Sequence, residues 1–174
     1  TGGSGPCRRN RPSGGGPAAR LGSALPAGSA GAGRRRCSSL RDRAIGVVDP
    51  ASLDAYRKSG GFVALEKALS MGAKKVIAEV NASKLLGRGG AAFPTGRKWD
   101  AVAKQTARPH YLVCNADESE PGTFKDRVLM EEDPYALVES MTIAGFATGC
   151  ELGFLYVRGE YPGAFARVSH AIAE

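Results

Sequence analysis

The sequence contains Tyr111-Leu112-Val113-Cys114, a short apolar run that leads directly into the polar segment Asn115-Ala116-Asp117-Glu118-Ser119-Glu120. An apolar run of this length, bounded by polar residues, predicts a strand buried on both faces. Asp133-Pro134 predicts the start of a helix, because aspartate is a favourable N-cap and proline fits the first helical position. Phe154-Leu155-Tyr156-Val157 predicts a second buried strand, and Pro162 predicts the start of a final helix.

The order strand, helix, strand, helix predicts an α/β fold with a βαβ unit, whose two strands are parallel and joined by a right-handed crossover. Ligands of such sheets bind beyond the carboxyl ends of the strands. Asn115–Glu120 and the turn Arg158-Gly159-Glu160 both follow or end a predicted strand. We therefore expect these two polar segments to lie along the same edge of the sheet.

Helices are predicted upstream of the sheet by apolar residues that recur at helical spacing. The first spans residues 51–58 and is closed by Gly60-Gly61, and the second ends at Met71-Gly72. The apolar face of the second helix consists of Phe62, Leu65, Ala68 and Leu69. A third helix is predicted over residues 74–85, and one or two further helical turns over residues 99–104. We interpret all of these as scaffold.

The third predicted helix leads into residues 86–99, Leu-Gly-Arg-Gly-Gly-Ala-Ala-Phe-Pro-Thr-Gly-Arg-Lys-Trp, which contain four glycines, three cations and two aromatic residues. Glycine allows positive φ and lets a ligand approach the backbone, and freed N–H groups can form an anion-binding concavity. The cations Arg88, Arg97 and Lys98 suit a phosphate. The rings of Phe93 and Trp99 suit stacking on a heteroaromatic ring. The composition indicates a nucleotide site, with a purely structural glycine turn as the alternative.

The pattern Gly87-x-Gly89-x-x-Ala92 matches the dinucleotide-binding fingerprint only formally. That fingerprint has meaning after a strand and at the start of a helix, whereas this segment follows a predicted helix. Pro94 also disfavours a helix that starts at Gly90.

Asp117, Glu118 and Glu120 place three carboxylates within four residues at the end of a predicted strand. They can accept hydrogen bonds from the hydroxyl groups of a cofactor, and Asn115 can also donate. A divalent metal site, acid–base catalysis by paired carboxylates and a solvated acidic turn are the alternatives. The spacing lacks the register of a calcium loop, and we interpret both histidines of the chain as structural. Cofactor binding is therefore the favoured interpretation.

Residues 1–44 form a tail with nine arginines, one acidic residue and long runs of Gly, Pro, Ala and Ser. Such a segment cannot bury enough apolar surface to offset the entropy of ordering, so we predict that it is disordered. The tail carries +8 (nine arginines less Asp42) of the total charge of +7, which leaves −1 for residues 45–174. The folded part is not basic, so nucleic acid is disfavoured as a partner, and a non-catalytic nucleic-acid or scaffold role would have to reside in the tail.

The cysteines Cys7, Cys37, Cys114 and Cys150 show no C-x-x-C spacing. This predicts no zinc or iron–sulfur motif within these residues and indicates reduced thiols, with Cys114 buried in a strand. No run of 18 apolar residues occurs, so no membrane-spanning segment is predicted. The chain begins without methionine and ends inside a predicted helix, so we interpret it as a fragment.

Residues 83–99 and 115–127 resemble two signature segments of the NADH-binding flavoprotein subunit of NADH:quinone oxidoreductase (complex I). Gly60-Gly61-Phe62 and residues 154–161, Phe-Leu-Tyr-Val-Arg-Gly-Glu-Tyr, match flanking segments, so the resemblance covers residues 45–174. It implies the N-terminal part of a Rossmann-like domain, truncated at the C-terminus, that binds FMN and NAD(H). Hydride would pass from NADH to FMN, and electrons would leave for a 4Fe-4S cluster outside these residues, towards quinone.

The resemblance also implies the roles of individual residues. The FMN would be bordered by Gly87, Arg88, Gly89, Gly90 and Lys98, and hydrogen-bonded by Asn115, Asp117, Glu118 and Ser119. Phe93 would stack on the dinucleotide, and Glu120 would meet its nicotinamide end. No catalytic residue is implied, because the cofactors carry out hydride transfer while the protein supplies position and electrostatics.

The resemblance further implies an NADH dehydrogenase in the cytoplasm, peripheral on the inner face of the cell membrane. Its partners would be the other subunits of a complex, including a small thioredoxin-like 2Fe-2S subunit. The same module serves as the diaphorase subunit of NAD-dependent formate dehydrogenases and NAD-reducing hydrogenases, which is the alternative. Both interpretations require residues 86–99 and 115–120 to border one flavin.

Overall fold

The computed structural model describes residues 45–174, and the disorder predicted for residues 1–44 lies outside the described residues. The helices are α1 Leu53–Lys58, α2 Val63–Met71, α3 Ala73–Ala82, α4 Thr95–Ala103, α5 Lys125–Glu132, α6 Pro134–Thr148 and α7 Pro162–Ala173. The strands are β1 Tyr111–Ala116, between α4 and α5, and β2 Leu152–Val157, between α6 and α7. The α/β class predicted from the sequence is confirmed.

Helices α1 and α2 end at the predicted positions, and the first N–H groups of each are capped by a side chain. α1 follows Ser52, whose hydroxyl accepts a hydrogen bond from the N–H of Ala55 at 3.2 Å. α2 follows Phe62, which has a left-handed φ of 65° and no side-chain cap of its own. The Glu139 carboxylate on α6 supplies that cap by accepting from the N–H groups of Phe62 and Leu65, each at 3.0 Å. A contact that is distant in sequence therefore fixes α2 on α6.

Three helices differ from the prediction. α3 ends at Ala82, short of the predicted residue 85, because the backbone takes a left-handed φ of 54° at Lys84, through which a right-handed helix cannot continue. α4 starts at Thr95 rather than residue 99, because Pro94 precedes the first turn, where its missing N–H breaks no helical hydrogen bond. α5 lies in a stretch that the sequence leaves as a loop.

β1 and β2 pair in parallel, in a register that aligns Tyr111 with Leu152 and Ala116 with Val157. The predicted parallel pairing is confirmed. The two polar segments that follow the strands also meet at one edge, since Nη1 of Arg158 donates to the carbonyl oxygen of Glu118 at 2.6 Å. The strands thus bring residues 117–120 and 158–160 together as expected.

The prediction that both strands are buried on both faces is wrong. One face of the sheet carries five side chains that are at least 50% exposed: Tyr111, Val113, Leu152, Phe154 and Tyr156. The opposite face packs on residues of α5, α6 and α7, where Leu155 and Val157 contact a core of Ala116, Met130, Tyr161, Ala164 and Val168. Because these helices all pack on that face, apolar side chains on the first face remain accessible.

Two other expectations about burial also change. Leu69, predicted on the apolar face of α2, is exposed, because α2 packs through Ala68 against Val76, Ile77 and Ala147. Cys114 is a free thiol that is only partly buried. Burial, with the nearby charge of Asp126, raises the pKa of the Cys114 thiol. None of the helices within residues 45–174 has the length and apolar character needed to cross a membrane.

Candidate functional site

A cavity of about 540 Å³ lies between the glycine loop, residues 86–94, and the start of β1. Its walls include Gly87, Gly89 and Phe93 of the loop, Lys98 and Trp99 of α4, and Tyr111, Leu112 and Val113 of β1. Thr148 and Cys150, at the end of α6, complete this glycine-loop cavity. Four residues predicted to contact the cofactor therefore border one space: Gly87, Gly89, Phe93 and Lys98.

The glycine loop is a narrow turn closed by backbone hydrogen bonds. The N–H of Gly87 donates to the carbonyl oxygen of Phe93 at 2.8 Å. The chain turns through positive φ at Lys84 (54°) and Ala92 (45°), and not at Gly87, Gly89 or Gly90. The expectation that these glycines supply the left-handed backbone is therefore wrong, and another reason must account for them.

Packing among the described residues does not require the loop glycines either. A Cβ added to Gly89 or Gly90 would meet no protein atom within 4 Å, and at Gly87 the nearest atom would be the Phe93 carbonyl oxygen at 3.4 Å. At Gly96 in α4, by contrast, packing does require glycine, because a Cβ there would lie 2.4 Å from Oδ1 of Asn81. The loop glycines thus leave space that no residue from 45 to 174 fills, as expected where a ligand approaches the backbone.

Positive charge and unbonded amides occur in the glycine loop and at the start of α4, next to this space. Arg88 and Lys98 take part in none of the ion pairs formed among residues 45–174. Within the same range, the N–H groups of residues 88–91 donate no backbone hydrogen bond. The Arg97 guanidinium lies 5.8 Å from the ring centre of Phe93, which is 51% exposed. These groups suit a phosphate next to a flat ring.

The acidic segment, residues 115–120, is shaped by its own hydrogen bonds at the carboxyl end of β1. Oδ1 of Asn115 accepts from the N–H of Asp117 at 3.1 Å, and the Ser119 hydroxyl donates to the Asp117 carboxylate at 2.8 Å. Asn115, Ser119 and Glu120 are exposed, and Asp117 is half-buried. A ligand can therefore reach these four side chains, all of which the sequence assigns to the cofactor.

Glu118 differs from its neighbours, because it is only 1% exposed. Its carboxylate caps α5 by accepting from the N–H groups of Asp126 at 3.0 Å and Arg127 at 3.1 Å, and Nζ of Lys125 lies 3.9 Å away. Burial by itself raises the pKa of Glu118, but these N–H groups and the Lys125 charge outweigh it and hold the pKa below its usual range. Protein groups thus already satisfy the carboxylate that the sequence assigns to FMN.

The glycine-loop cavity and the acidic segment occupy successive levels of β1. The cavity reaches the strand at residues 111–113, and Asn115 follows two residues later, about 7 Å further along the strand. None of residues 115–120 lines this cavity, and neither do Arg88 and Gly90. Tyr111, Val113 and Asn115 alternate along β1 on its exposed face. The acidic segment therefore lies beyond the cavity on the same strand.

Sequence reasoning missed several residues of this region. Tyr111 is signalled only by its alternation with Val113, which the prediction of a strand buried on both faces overlooked. Thr148 and Cys150 have no local signal, because they reach the cavity through the packing of the end of α6 beside the start of β1. Arg158 is predicted at the sheet edge, but its contact with the acidic segment depends on the parallel register.

Comparisons with known proteins agree with these features. The chain is 51% identical over 123 residues to the F subunit of the NADH-quinone oxidoreductase of Aquifex aeolicus (strain VF5), covering 71% of the chain and 29% of that relative. It is 45% identical over 133 residues to the HndC subunit of the NADP-reducing hydrogenase of Solidesulfovibrio fructosivorans, covering 76% and 27%. The crystal structure of an NAD+-reducing NiFe-hydrogenase in the air-oxidized state matches with a TM-score of 0.54 and 40% identity, over 57% of this chain and 18% of that chain.

The chain thus spans less than a third of the length of these curated relatives. The family model described as the Nuo51 FMN-binding domain matches residues 80–174, which is 95 of the 174 residues. This range includes the glycine loop, both strands and the acidic segment. The chain therefore belongs to the family of the Nuo51 FMN-binding domain.

Proposed function

We propose that residues 45–174 form part of an FMN- and NADH-binding domain in the flavoprotein subunit of an NADH dehydrogenase. The observation that carries the proposal is the glycine-loop cavity, where Gly87 and Gly89 leave open the space that a side chain would fill. Because the chain spans less than a third of its curated relatives, the proposed activity is that of the complete protein. The described residues supply part of its cofactor site.

The residues around the glycine-loop cavity fit FMN chemically. Its volume of about 540 Å³ lies within the usual range of about 300–1,000 Å³ for small-molecule sites. The FMN phosphate suits the charge of Lys98 in the cavity wall, together with the Arg88 charge and the unbonded N–H groups of residues 88–91 in the adjoining loop. The flat flavin ring suits the accessible side chains of Tyr111 and Val113.

The acidic segment supplies groups for the remaining polar parts of the ligands. We assign Asn115, Asp117 and Ser119 to the hydroxyl and amide groups of FMN, since their side chains are accessible and can donate or accept hydrogen bonds. Glu120 is assigned to the nicotinamide end of NADH. The Glu118 carboxylate holds the acidic segment against α5. We therefore assign to Glu118 the positioning of the neighbouring side chains and no contact with FMN.

Bound FMN supplies the acceptor for a hydride from NADH and a route for single electrons towards a 4Fe-4S cluster and quinone. The chain contributes binding and orientation. Phe93, steadied by Arg97, offers a ring on which the dinucleotide can stack, and Glu120 orients its nicotinamide end. Holding two reactants in a productive geometry can by itself supply a large part of a rate enhancement.

The test uses the product of the complete reading frame that encodes these residues. We expect the purified protein to take up FMN, seen as a flavin absorption spectrum, and to oxidise NADH with an artificial electron acceptor. Riboflavin, which lacks the phosphate, is the matched ligand control and should bind more weakly, because Arg88 and Lys98 would have no anion to pair with. A folded protein that takes up no FMN under reconstituting conditions would contradict the proposal.

The diaphorase subunit of a hydrogenase or formate dehydrogenase is the second candidate. It is favoured by the similarity to HndC and to the NAD+-reducing hydrogenase structure. We propose the NADH dehydrogenase first, because identities to several F subunits of NADH-quinone oxidoreductases range from 45% to 55%, and HndC, at 45%, lies at the lower end of that range. For the NADH dehydrogenase, the proposed partners include a small thioredoxin-like 2Fe-2S subunit. The proposed location is cytoplasmic, peripheral on the inner face of the cell membrane. Affinity purification separates the two candidates, since hydrogenase or formate dehydrogenase subunits would co-purify only in the second case.

A further inference from the structure

Arg158 has no role among the cofactor residues assigned above, yet it ties the acidic segment to the end of β2. Its Nη1 donates to the carbonyl oxygen of Glu118 at 2.6 Å. Its Nε and Nη2 donate to the two carboxylate oxygens of Glu160 at 3.0 and 3.4 Å. One guanidinium therefore joins the acidic segment to the turn that follows β2.

The guanidinium is held in this orientation by a buried aromatic ring. It lies 5.6 Å from the ring centre of Tyr161, which is buried in the core together with Ala116 and Met130. A planar fork that rests on a ring can direct donors to two partners at once. The ammonium of a lysine is a single point charge and cannot reproduce both contacts.

Glu118 is consequently fixed at two points. The first N–H groups of α5 hold its carboxylate, and Arg158 holds its carbonyl oxygen. The residues on either side, Asp117 and Ser119, keep side chains that a ligand can reach. Because both anchors act on Glu118, they set where the reachable groups of its neighbours stand.

We infer that Arg158 is a positioning residue for the cofactor, whose guanidinium holds the Glu118 carbonyl and so sets the placement of Asp117, Ser119 and Glu120. This inference rests on the FMN site proposed above. Loss of a hydrogen bond from a charged donor corresponds to about a tenfold to hundredfold change in an equilibrium constant. Because Arg158 acts on the placement of other groups and does not touch FMN, this is an upper limit, and we expect Arg158→Met to raise the FMN dissociation constant by about tenfold and by no more than about a hundredfold.

The experiment compares Arg158→Met with Arg127→Met in the product of the complete reading frame. Arg127 is the matched control, because its guanidinium lies 5.3 Å from the centre of the same Tyr161 ring and pairs with Glu131 at 3.0 Å. Its side chain donates no hydrogen bond to the acidic segment within the described part of the chain. We expect both variants to lose similar thermal stability and only Arg158→Met to lose FMN affinity.

Two further measurements separate positioning from a general loss of folding. Arg158→Lys keeps the charge without the fork and should show an affinity between those of the unaltered protein and Arg158→Met. Guanidinium added below its denaturing range should restore part of the FMN affinity of Arg158→Ala and leave that of Arg127→Ala unchanged. Sodium chloride at the same ionic strength controls for the added salt.

Each outcome bears on the inference. Unchanged FMN affinity in folded Arg158→Met, or an equal loss in both arginine variants, would overturn it while leaving the FMN site standing. If Arg158→Met does not fold, Arg158→Lys decides, and unchanged affinity in that variant would also overturn the inference. Absence of FMN binding by the unaltered protein would instead remove the proposed function itself.

Discussion

Gly89→Val tests the glycine-loop cavity most directly. Gly89 has no positive φ, and a Cβ at this position would meet no protein atom within 4 Å. The change should therefore alter the free energy of unfolding by no more than about 0.5 kcal/mol, the usual limit for surface substitutions. The side chain would nevertheless stand in the wall of the cavity that we assign to FMN.

Gly89→Val should change the FMN affinity much more than the free energy of unfolding. Forcing extra carbon atoms into an occupied space costs about 1–3 kcal/mol, which is about a 5- to 150-fold change in affinity. We expect the FMN dissociation constant of Gly89→Val to rise by at least this factor. A change of about 0.5 kcal/mol shifts the unfolding temperature of a protein of about 150–250 residues by only about 1–2 °C, and that of a longer protein by less.

The assay is a titration of apoprotein with FMN, followed by flavin fluorescence, beside a thermal unfolding curve for each variant. Gly145→Val is the matched control, because Gly145 also has open space around its Cβ position but lines a neighbouring cavity of about 480 Å³, which no residue of the glycine loop borders. Its FMN affinity should not change. Gly96→Ala should show the reverse pattern to Gly89→Val, namely a lower unfolding temperature with unchanged FMN affinity. The reason is that its Cβ would lie 2.4 Å from Oδ1 of Asn81. Wild-type FMN affinity in folded Gly89→Val would refute the reasoning and leave the loop as a structural turn.

Three further predictions follow from single side chains. Lys98→Gln should raise the FMN dissociation constant by about tenfold or more in low salt, measured by the same titration, whereas Lys75→Gln on the exposed side of α3 should not. Glu139→Gln should lower the free energy of unfolding in urea by about 1–3 kcal/mol without changing FMN affinity, because its carboxylate accepts three hydrogen bonds that an amide cannot all accept. The pKa of Glu118 is lower in the folded chain than its unfolded value of about 4.3. Its ionised form therefore stabilises the fold above that pH. This contribution to the free energy of unfolding is lost as the pH falls through the folded pKa. Glu118→Gln should remove this part of the acid sensitivity, as measured by unfolding between about pH 7 and about pH 3, and an unchanged acid profile would contradict the assignment.

The parts of the fold that follow local rules could be predicted from the sequence. Pro134 and Pro162 occupy the first helical positions of α6 and α7, and Gly149 ends α6 with a left-handed φ of 67°. Both strands follow from short apolar runs, and their parallel pairing follows from the helices between them. These features depend on residues close in sequence, so their positions were correct within a few residues.

The exposed sheet face could not be predicted in the same way. An apolar run of this kind has the same pattern whether one face or both faces are covered. Coverage depends on which side α5, α6 and α7 pack against, and the contacts on the covered side come from Met130, Ala164 and Val168, which lie outside both strands. The exposure of Tyr111 and Phe154 is therefore a property of the tertiary structure.

The candidate site shows the same division between local pattern and tertiary contact. The glycine loop and the acidic segment could be predicted, because runs of glycine and clusters of carboxylates are apparent in the amino-acid sequence. The sequence could not assign separate roles to the carboxylates. Glu118 and Glu120 are two positions apart, yet Glu118 is 1% exposed and caps α5, while Glu120 is exposed.

Burial and partners decide which carboxylate remains available to a ligand. Glu118 and Glu139 are both buried glutamates, and each satisfies the first N–H groups of a helix that has no capping side chain next to it in sequence. A carboxylate used in this way is buried and accepts hydrogen bonds from the protein itself, so it orders the backbone around it. Because Arg158 fixes the same residue through its carbonyl oxygen, Glu118 is held from both α5 and the end of β2. The accessible groups of Asp117, Ser119 and Glu120 therefore stand on a backbone that is ordered before any cofactor arrives, which reduces the entropy cost of binding.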